Sequence, residues 1–331
     1  MKEVFGTLAN GEDVHRIKLK KDGLSAWIIT HGASLHYLRL DPHPHSLVLG
    51  FDRLEYYIKQ QDYFGAVVGR VANRIAAARA TIGGETHCLD ANENGIQTLH
   101  GGSDGTGVRN WEIRDCGSDY VVLEDHLPHL HMGFPGALDV NITYEILSGQ
   151  QLKIDIYATS DRDTLCNFAH HSYFNLDGTD NILDHLLQID ADTYLPVDSN
   201  LIPLGGCQPV ENTAFDFRKL RPVAWLNQPY DYDHNYCLSK ARSQPRPVAL
   251  LKGPITGVEM TILTTEPGLQ VYDGKSANSI FPGHCNRPHQ NYAGIALEPQ
   301  CWPDAPNHAD FPDIGLTAGD QYQQTTIFKF A

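Results

Sequence analysis

Leu138-Asp139-Val140-Asn141-Ile142-Thr143-Tyr144-Glu145-Ile146, the turn Ser148-Gly149-Gln150-Gln151, and then Leu152-Lys153-Ile154-Asp155-Ile156 decide the fold class. Every second residue on either side of the turn is apolar. Side chains on a strand alternate between faces, so the stretch reads as an antiparallel hairpin with one buried face. The same period recurs outward along the chain. Ala80-Thr81-Ile82 turns at Gly83-Gly84 and returns through Glu85 to Leu89, and Gly257 to Thr265 is expected to pair with Leu269 to Asp273 across Glu266-Pro267-Gly268. Further strands are expected at Val14 to Lys20, Leu24 to Thr30, Tyr120 to Asp125 and Gly294 to Glu298, with Ser239 to Pro247 as a long surface loop. Helical periodicity is scarce, and Arg53 to Lys59 is the best short candidate. With 29 Gly and 19 Pro punctuating many strands, the chain reads as all-β, a large antiparallel β-sandwich or barrel. No repeat or linker divides it, so residues 1–331 are expected to form a single domain.

Composition narrows the function. The 40 acidic and 25 basic residues give a formal charge of -15, which argues against nucleic acid or an anionic membrane as partner, since both call for clustered Lys and Arg. Cys88, Cys116, Cys166, Cys207, Cys237, Cys285 and Cys301 are odd in number, scattered and without a C-x-x-C pair. That pattern suits reduced thiols in a cytosol better than a disulfide scaffold or a zinc ribbon. Met1 to Thr7 lacks the apolar run of a signal peptide, and no stretch approaches the ~20 apolar residues of a membrane span. The expected location is the cytoplasm.

Chemistry is concentrated in Phe168-Ala169-His170-His171-Ser172-Tyr173-Phe174-Asn175-Leu176. On a strand, Phe168, His170, Ser172, Phe174 and Leu176 share a largely apolar face, while His171, Tyr173 and Asn175 line the other. Alternation therefore assigns His170 to the core and His171 to a polar cleft, and an imidazole titrates near neutrality. Glu298 closes the apolar run Gly294-Ile295-Ala296-Leu297 just before Pro299, a place where partial burial would raise its pKa toward that of a general base, although the strand pattern alone favours a solvated strand-end salt bridge. Asn73-Arg74 offers a fork of donors suited to sugar hydroxyls, and His100 stands beside Gly101-Gly102, where the backbone can turn sharply or approach a ligand. Asp233 lies among Tyr230, Tyr232 and Tyr236, an acid flanked by aromatic rings as in many sugar sites. Surface ion pairing or packing of the loop on its own scaffold would explain these residues too. The pairs His43/His45 and His129/His131 could hold a metal, but no neighbouring carboxylate or cysteine completes a ligand set, and no G-x-S-x-G nucleophile motif occurs.

The order of the motifs is more telling than any one of them. Gly69-Arg70-Val71-Ala72-Asn73-Arg74-Ile75, Leu99-His100-Gly101-Gly102, His171 to Leu176, Thr213 to Arg218, Tyr232-Asp233-His234-Asn235, Pro267 to Tyr272, and Leu297-Glu298-Pro299-Gln300 with Pro303 to Asn307 run through almost the whole chain. Together they resemble the aldose 1-epimerase (galactose mutarotase) family. The resemblance implies a β-supersandwich without metal or organic cofactor that acts on a small monosaccharide. It also implies that His171 is the general acid, Glu298 the general base, and Asn73, Arg74, His100, Asp233 and Gln270 the sugar-holding residues. Glu298 would take the C1 hydroxyl proton while His171 protonates the ring oxygen, which predicts a bell-shaped pH dependence. Two departures stand out: His170, where many relatives have asparagine, and Cys301-Trp302 in place of the usual His-Phe. A catalytically silent sugar binder on the same fold is the alternative. A glycoside hydrolase using Asp233 and Glu298 as its carboxylate pair is a third reading.

Overall fold

The computed structural model describes residues 2–60, 62–226, 228–284 and 286–331, so that Met1, Gln61, Asn227 and Cys285 lie outside it. The opening hairpin is there in unbroken register, from Leu138 opposite Ser160 to Leu147 opposite Gln151. Its alternate residues Val140, Ile142, Tyr144, Ile146, Leu152, Ile154 and Ile156 are buried. Burying each such side chain contributes roughly 1.5–3 kcal/mol, which is why the pattern fixes the register. This hairpin is the middle of a nine-stranded antiparallel sheet whose order runs Glu112–Cys116, Tyr120–Leu127, Leu138–Leu147, Gln151–Ser160, Gln321–Phe330, Glu259–Thr264, Arg246–Lys252, Leu186–Ile189, Arg221–Pro222. A six-stranded sheet (Tyr173–Phe174, Ile295–Gln300, Gly268–Tyr272, Asp233–Cys237, Thr193–Tyr194, Gln208–Pro209) and a four-stranded meander (Lys2–Thr7, Asp13–Lys21, Leu24–Ile29, Ser34–Leu40) accompany it. One continuous apolar core joins all three sheets, with Ile17 and Leu19 from the meander, Ile142 and Ile154 from the large sheet, and Leu269, Val271 and Leu297 from the third.

Most local expectations hold. The Gly83-Gly84 turn joins Arg79–Ile82 to Glu85–Cys88, and the short helix is Leu54–Lys59. Two differ. Glu259–Thr264 and Gly268–Tyr272 are both strands, yet they do not pair with each other. The first lies between Arg246–Lys252 and Gln321–Phe330, the second between Asp233–Cys237 and Ile295–Gln300. Glu259–Thr264 is held by the strand just before it and by the C-terminal strand, and both edges of Gly268–Tyr272 are taken by strands of another sheet, so Glu266-Pro267 is a crossover between sheets. Arg246–Lys252, in turn, shortens the expected loop. The second difference is at Pro299, where the strand continues to Gln300. Its opposite edge pairs only at Ile295 and Ala296, so the missing N–H of Pro299 removes no ladder bond there.

The crossover is anchored by Glu266, which is fully buried and accepts from Arg242 Nε at 2.9 and 3.1 Å through its two carboxylate oxygens. Thr265 Oγ1 adds a third bond at 3.0 Å. Glu266→Ala leaves the Arg242 guanidinium without its counter-charge, and the expected loss is roughly 3 kcal/mol in denaturant unfolding. A loss below about 1 kcal/mol, the range of an exposed pair, would refute the anchoring role.

Candidate active site

The six-stranded sheet has two unlike faces. Directly opposed residues share a face, and here Tyr236, Leu269, Val271, Ile295 and Leu297 enter the apolar core. The reverse face carries Asp233 opposite Tyr272 and Ala296, then Asn235 opposite Gln270 and Glu298. A polar row therefore runs across three strands with the hydrophobic core directly beneath it. Tyr173–Phe174 pairs with Ile295 and Ala296, and just before it Ala169–His171 pairs with Ala66–Val68. This arrangement places His171 Nε2 3.7 Å from Glu298 Oε1, with both side chains buried. His170, one residue earlier, turns to the core as alternation requires: its ring centroid lies 5.9 Å from that of Tyr144 and 5.8 Å from that of Phe328.

The wall opposite is built by Arg74–Ile75 and Thr98–Leu99, which pair with each other. Both oxygens of Glu93 accept from Arg74, Nε and Nη2 each at 2.9 Å, and Gln97 Nε2 donates to the same carboxylate. The guanidinium is thereby fixed with Nη1 3.7 Å from Asp233 Oδ2. Gln270 Nε2 donates to the other oxygen, Asp233 Oδ1, at 2.6 Å. The His100 backbone N–H donates to the Asn73 carbonyl at 3.0 Å, and its ring Nδ1 accepts the Asn73 backbone N–H at 3.1 Å. The bond to Nδ1 puts the proton of neutral His100 on Nε2. Asn73 Oδ1 accepts the Arg74 N–H at 2.9 Å, so part of this amide shapes its own turn. Gly101 is required: it has φ +84°, and a Cβ there would stand 2.1 Å from the Gly69 carbonyl oxygen. Tyr63 completes the enclosure, with ring centroids 4.7 Å from His100 and 6.1 Å from His171. His100 meets His171 edge-on at 5.4 Å.

Burial dominates the electrostatics. It raises Glu298 well above the usual carboxylate range, Asp233 adds to the rise, and Arg74 opposes it. Burial lowers His171 to about 4 and holds His100 well below an ordinary imidazole, where His171 and Arg74 lower it further. Asp233 is also raised by burial, against the pull of Arg74 and the Gln270 hydrogen bond. The His171–Glu298 pair is thus driven toward a neutral imidazole and a protonated carboxyl. His171 Nδ1, Gln270 Oε1 and Glu298 Oε2 are buried and have no hydrogen-bond partner among the described residues. Leaving such atoms unmatched costs about 1–3 kcal/mol each, so the row is suited to a polar ligand.

The seven residues marked in the sequence, Asn73, Arg74, His100, His171, Asp233, Gln270 and Glu298, are thus linked through contacts with one another. Glu93, Gln97 and Tyr63 were missed. Glu93 stands in the turn-like Asn92-Glu93-Asn94-Gly95, and no periodicity marks it. The histidine pairs serve the backbone: His45 Nε2 meets the Leu176 carbonyl at 3.1 Å, His131 Nε2 the Asp104 carbonyl at 2.8 Å, and His129 Nδ1 accepts the Gly136 N–H at 2.9 Å. His36, Asp52 and His284 also cluster, with ligand atoms within 4.8 Å of one another. Both nitrogens of His284 are already engaged there, and Arg16 Nη1 lies 3.4 Å from His36 Nε2, a poor setting for a cation. Among the described residues no helix is long and apolar enough to cross a membrane.

Comparison with known proteins bears on the chain as a whole. The profile of the family described as aldose 1-epimerase matches residues 15–329. The chain is 39% identical to the galactose mutarotase of Mus musculus, over 99% of this chain and 97% of that one. It is 37% identical to the aldose 1-epimerase of Haemophilus influenzae, over 84% of each. Among solved structures, a GalM/aldose epimerase homologue from C. elegans superposes with a TM-score of 0.90 at 30% identity, covering 96% of this chain and 99% of that one. The galactose 1-epimerase of Lactobacillus acidophilus gives 0.85 at 29% identity, with 100% and 98% covered. This chain belongs to the aldose 1-epimerase family.

Proposed function

We propose that this protein interconverts the α and β anomers of a free aldose, galactose or glucose, by acid/base ring opening and reclosure on one domain spanning residues 1–331. The observation that carries the reading is the buried His171 Nε2–Glu298 Oε1 approach of 3.7 Å, at one end of a row of sugar-suited donors and acceptors. Glu298 removes the proton from the C1 hydroxyl while His171 protonates the ring oxygen, and the ring opens to the aldehyde. Rotation about the C1–C2 bond and reclosure with the roles reversed give the other anomer. Arg74, His100, Asp233, Gln270 and the free part of the Asn73 amide hold the sugar hydroxyls. Residues alone supply this chemistry, since nothing is oxidised and no group is transferred. The six described cysteines that are free fit a reducing cytoplasm, where we place the enzyme.

Burial has a mechanistic use here. Ring opening converts carboxylate and imidazolium into carboxyl and imidazole, the form that desolvation favours, so the buried site stabilises the open-chain intermediate. The pair works while it holds one proton between its two members. At low pH it gains a second one as His171 is protonated, and no base remains. At high pH Glu298 loses the only one, and no acid remains. With His171 at about 4 and Glu298 raised, kcat/KM is expected to fall near pH 4 on the acid side as His171 is protonated, and its alkaline limb belongs to Glu298, displaced upward from the ordinary carboxylate range. Ordinary values would give a bell between about pH 4 and 6.5 with the limbs assigned the other way round. Polarimetry on freshly dissolved α-galactose and α-glucose, run from pH 3 to 10, tests both points. Sugar binding without faster mutarotation would leave only the silent binder, and a profile flat from pH 3 to 10 would refute the one-proton description.

A further inference from the structure

Cys207 and Cys237 bring their sulfurs to 3.6 Å, although 30 residues separate them. Both thiols are free and half-buried, which leaves them open to a small oxidant. Of the other described cysteines, Cys166 and Cys301 are buried, while Cys88 and Cys116 are exposed on strands of other sheets. The position of the pair is what gives it interest. Cys237 ends the strand Asp233–Cys237, four residues from the carboxylate that faces Arg74. Cys207 ends the excursion 195–207 that leaves Thr193–Tyr194 and returns at Gln208–Pro209. That excursion braces the sugar site from outside. The Asn200 carbonyl accepts from Gln97 Nε2 at 3.0 Å, Gln97 also holds Glu93, and Glu93 fixes Arg74.

We propose that Cys207 and Cys237 form a modification site, a dithiol that peroxide oxidises to an intrachain disulfide, and that this bond weakens sugar binding by moving the segment that braces Arg74. The regulatory half rests on the sugar-holding role proposed above for Arg74 and Asp233. The chemistry balances in two steps. One thiolate attacks hydrogen peroxide, forming a sulfenic acid and releasing hydroxide. The second thiol then displaces that oxygen as water, forming the S–S bond and giving up its proton, so that two thiols and one peroxide become one disulfide and two waters. Burial and the adjacent thiol hold the Cys237 pKa up, which disfavours it as the thiolate that attacks peroxide first. A disulfide needs its sulfurs at about 2.05 Å, so bonding must draw the two sulfurs, and with them the side chains that carry them, together by roughly 1.5 Å. Gly205 and Gly206, at φ +78° and +72°, precede Cys207, and a Cβ at Gly206 would meet nothing within 4 Å. The Cys207 side therefore has room to move, and the bonds from the Leu204 N–H to the Pro196 carbonyl and from the Asp198 N–H to the Ile202 carbonyl, each at 2.9 Å, knit the excursion so that its displacement reaches Asn200. A bond closed at the expense of backbone movement is also readily reduced, as a reversible switch requires.

The experiment treats the reduced full-length protein with hydrogen peroxide, blocks residual thiols and maps the peptides. It then measures mutarotation before and after dithiothreitol. The expected result is a Cys207–Cys237 crosslink, a KM for the aldose raised roughly five-fold or more with kcat little changed, and reversal on reduction. Cys207→Ser and Cys237→Ser should each remove the crosslink and the KM effect while the reduced enzyme turns over normally. The absence of that crosslink overturns the proposal, as does a crosslink that leaves KM unchanged or a KM effect that survives Cys207→Ser. Failure of the functional reading would look different, as reduced wild-type protein without mutarotase activity.

Discussion

Glu298→Gln is expected to lower kcat by roughly 10²–10⁴-fold, the usual contribution of a positioned acid or base, with KM changed far less. The substitution keeps the shape of the side chain and removes only its ability to take a proton. It should leave the fold at least as stable as before. Glu298 is buried, and its carboxyl is already driven toward the neutral form by desolvation and by Asp233, so a neutral amide costs nothing extra to bury. Thermal unfolding and polarimetry on the same sample separate the two effects. A kcat within ten-fold of wild type would remove Glu298 from the mechanism, and a collapse in stability would make it a structural residue.

His171→Ala is expected to cost a similar factor in kcat, again roughly 10²–10⁴. Removing the ring also opens space next to His100, Tyr63 and Tyr173, which all lie against it. Exogenous imidazole should therefore restore part of the rate, whereas added sodium chloride should not. Since acid and base act as a unit, the double variant His171→Ala/Glu298→Gln should be little worse than the poorer single variant. Additive losses would mean that the two side chains serve separate steps, and the proposed concert between them would fall.

Alternation carried the sequence reading a long way. It set the Leu138–Ile156 hairpin, turned His170 inward and His171 outward, and put Ile295 and Leu297 opposite to Glu298. Period-two patterning states which face a side chain takes, and in a sheet buried on one side that is most of the information. It does not state which strand lies next door. For this reason Gly257–Thr265 and Leu269–Asp273 were rightly read as strands and wrongly joined, because each finds both of its partners in a different sheet. The site was legible where residue type and spacing coincide, as in Leu99-His100-Gly101-Gly102, and in the ordered motifs that resemble the family. Glu93 and Tyr63 escaped because their roles arise only in three dimensions: one clamps Arg74 from a turn, and the other lays its ring on His100 from a loop.

The two-faced six-stranded sheet also governs which genetic changes this protein can survive. Leu269 and Val271 belong to the core, and Gln270 between them belongs to the sugar-facing row. Deleting or duplicating a single codon within Gly268–Tyr272 would exchange those sides, sending an amide into the apolar interior and a leucine toward Glu298. Substitutions at these positions can be graded in effect, but frame-preserving insertions and deletions there cannot. In a library scanned for both kinds of change, the central strands of this sheet should stand out as tolerant of several replacements and of no change in length. The loops that carry Tyr63 and Glu93 have no such parity to keep, and they are where variants with altered sugar preference should accumulate.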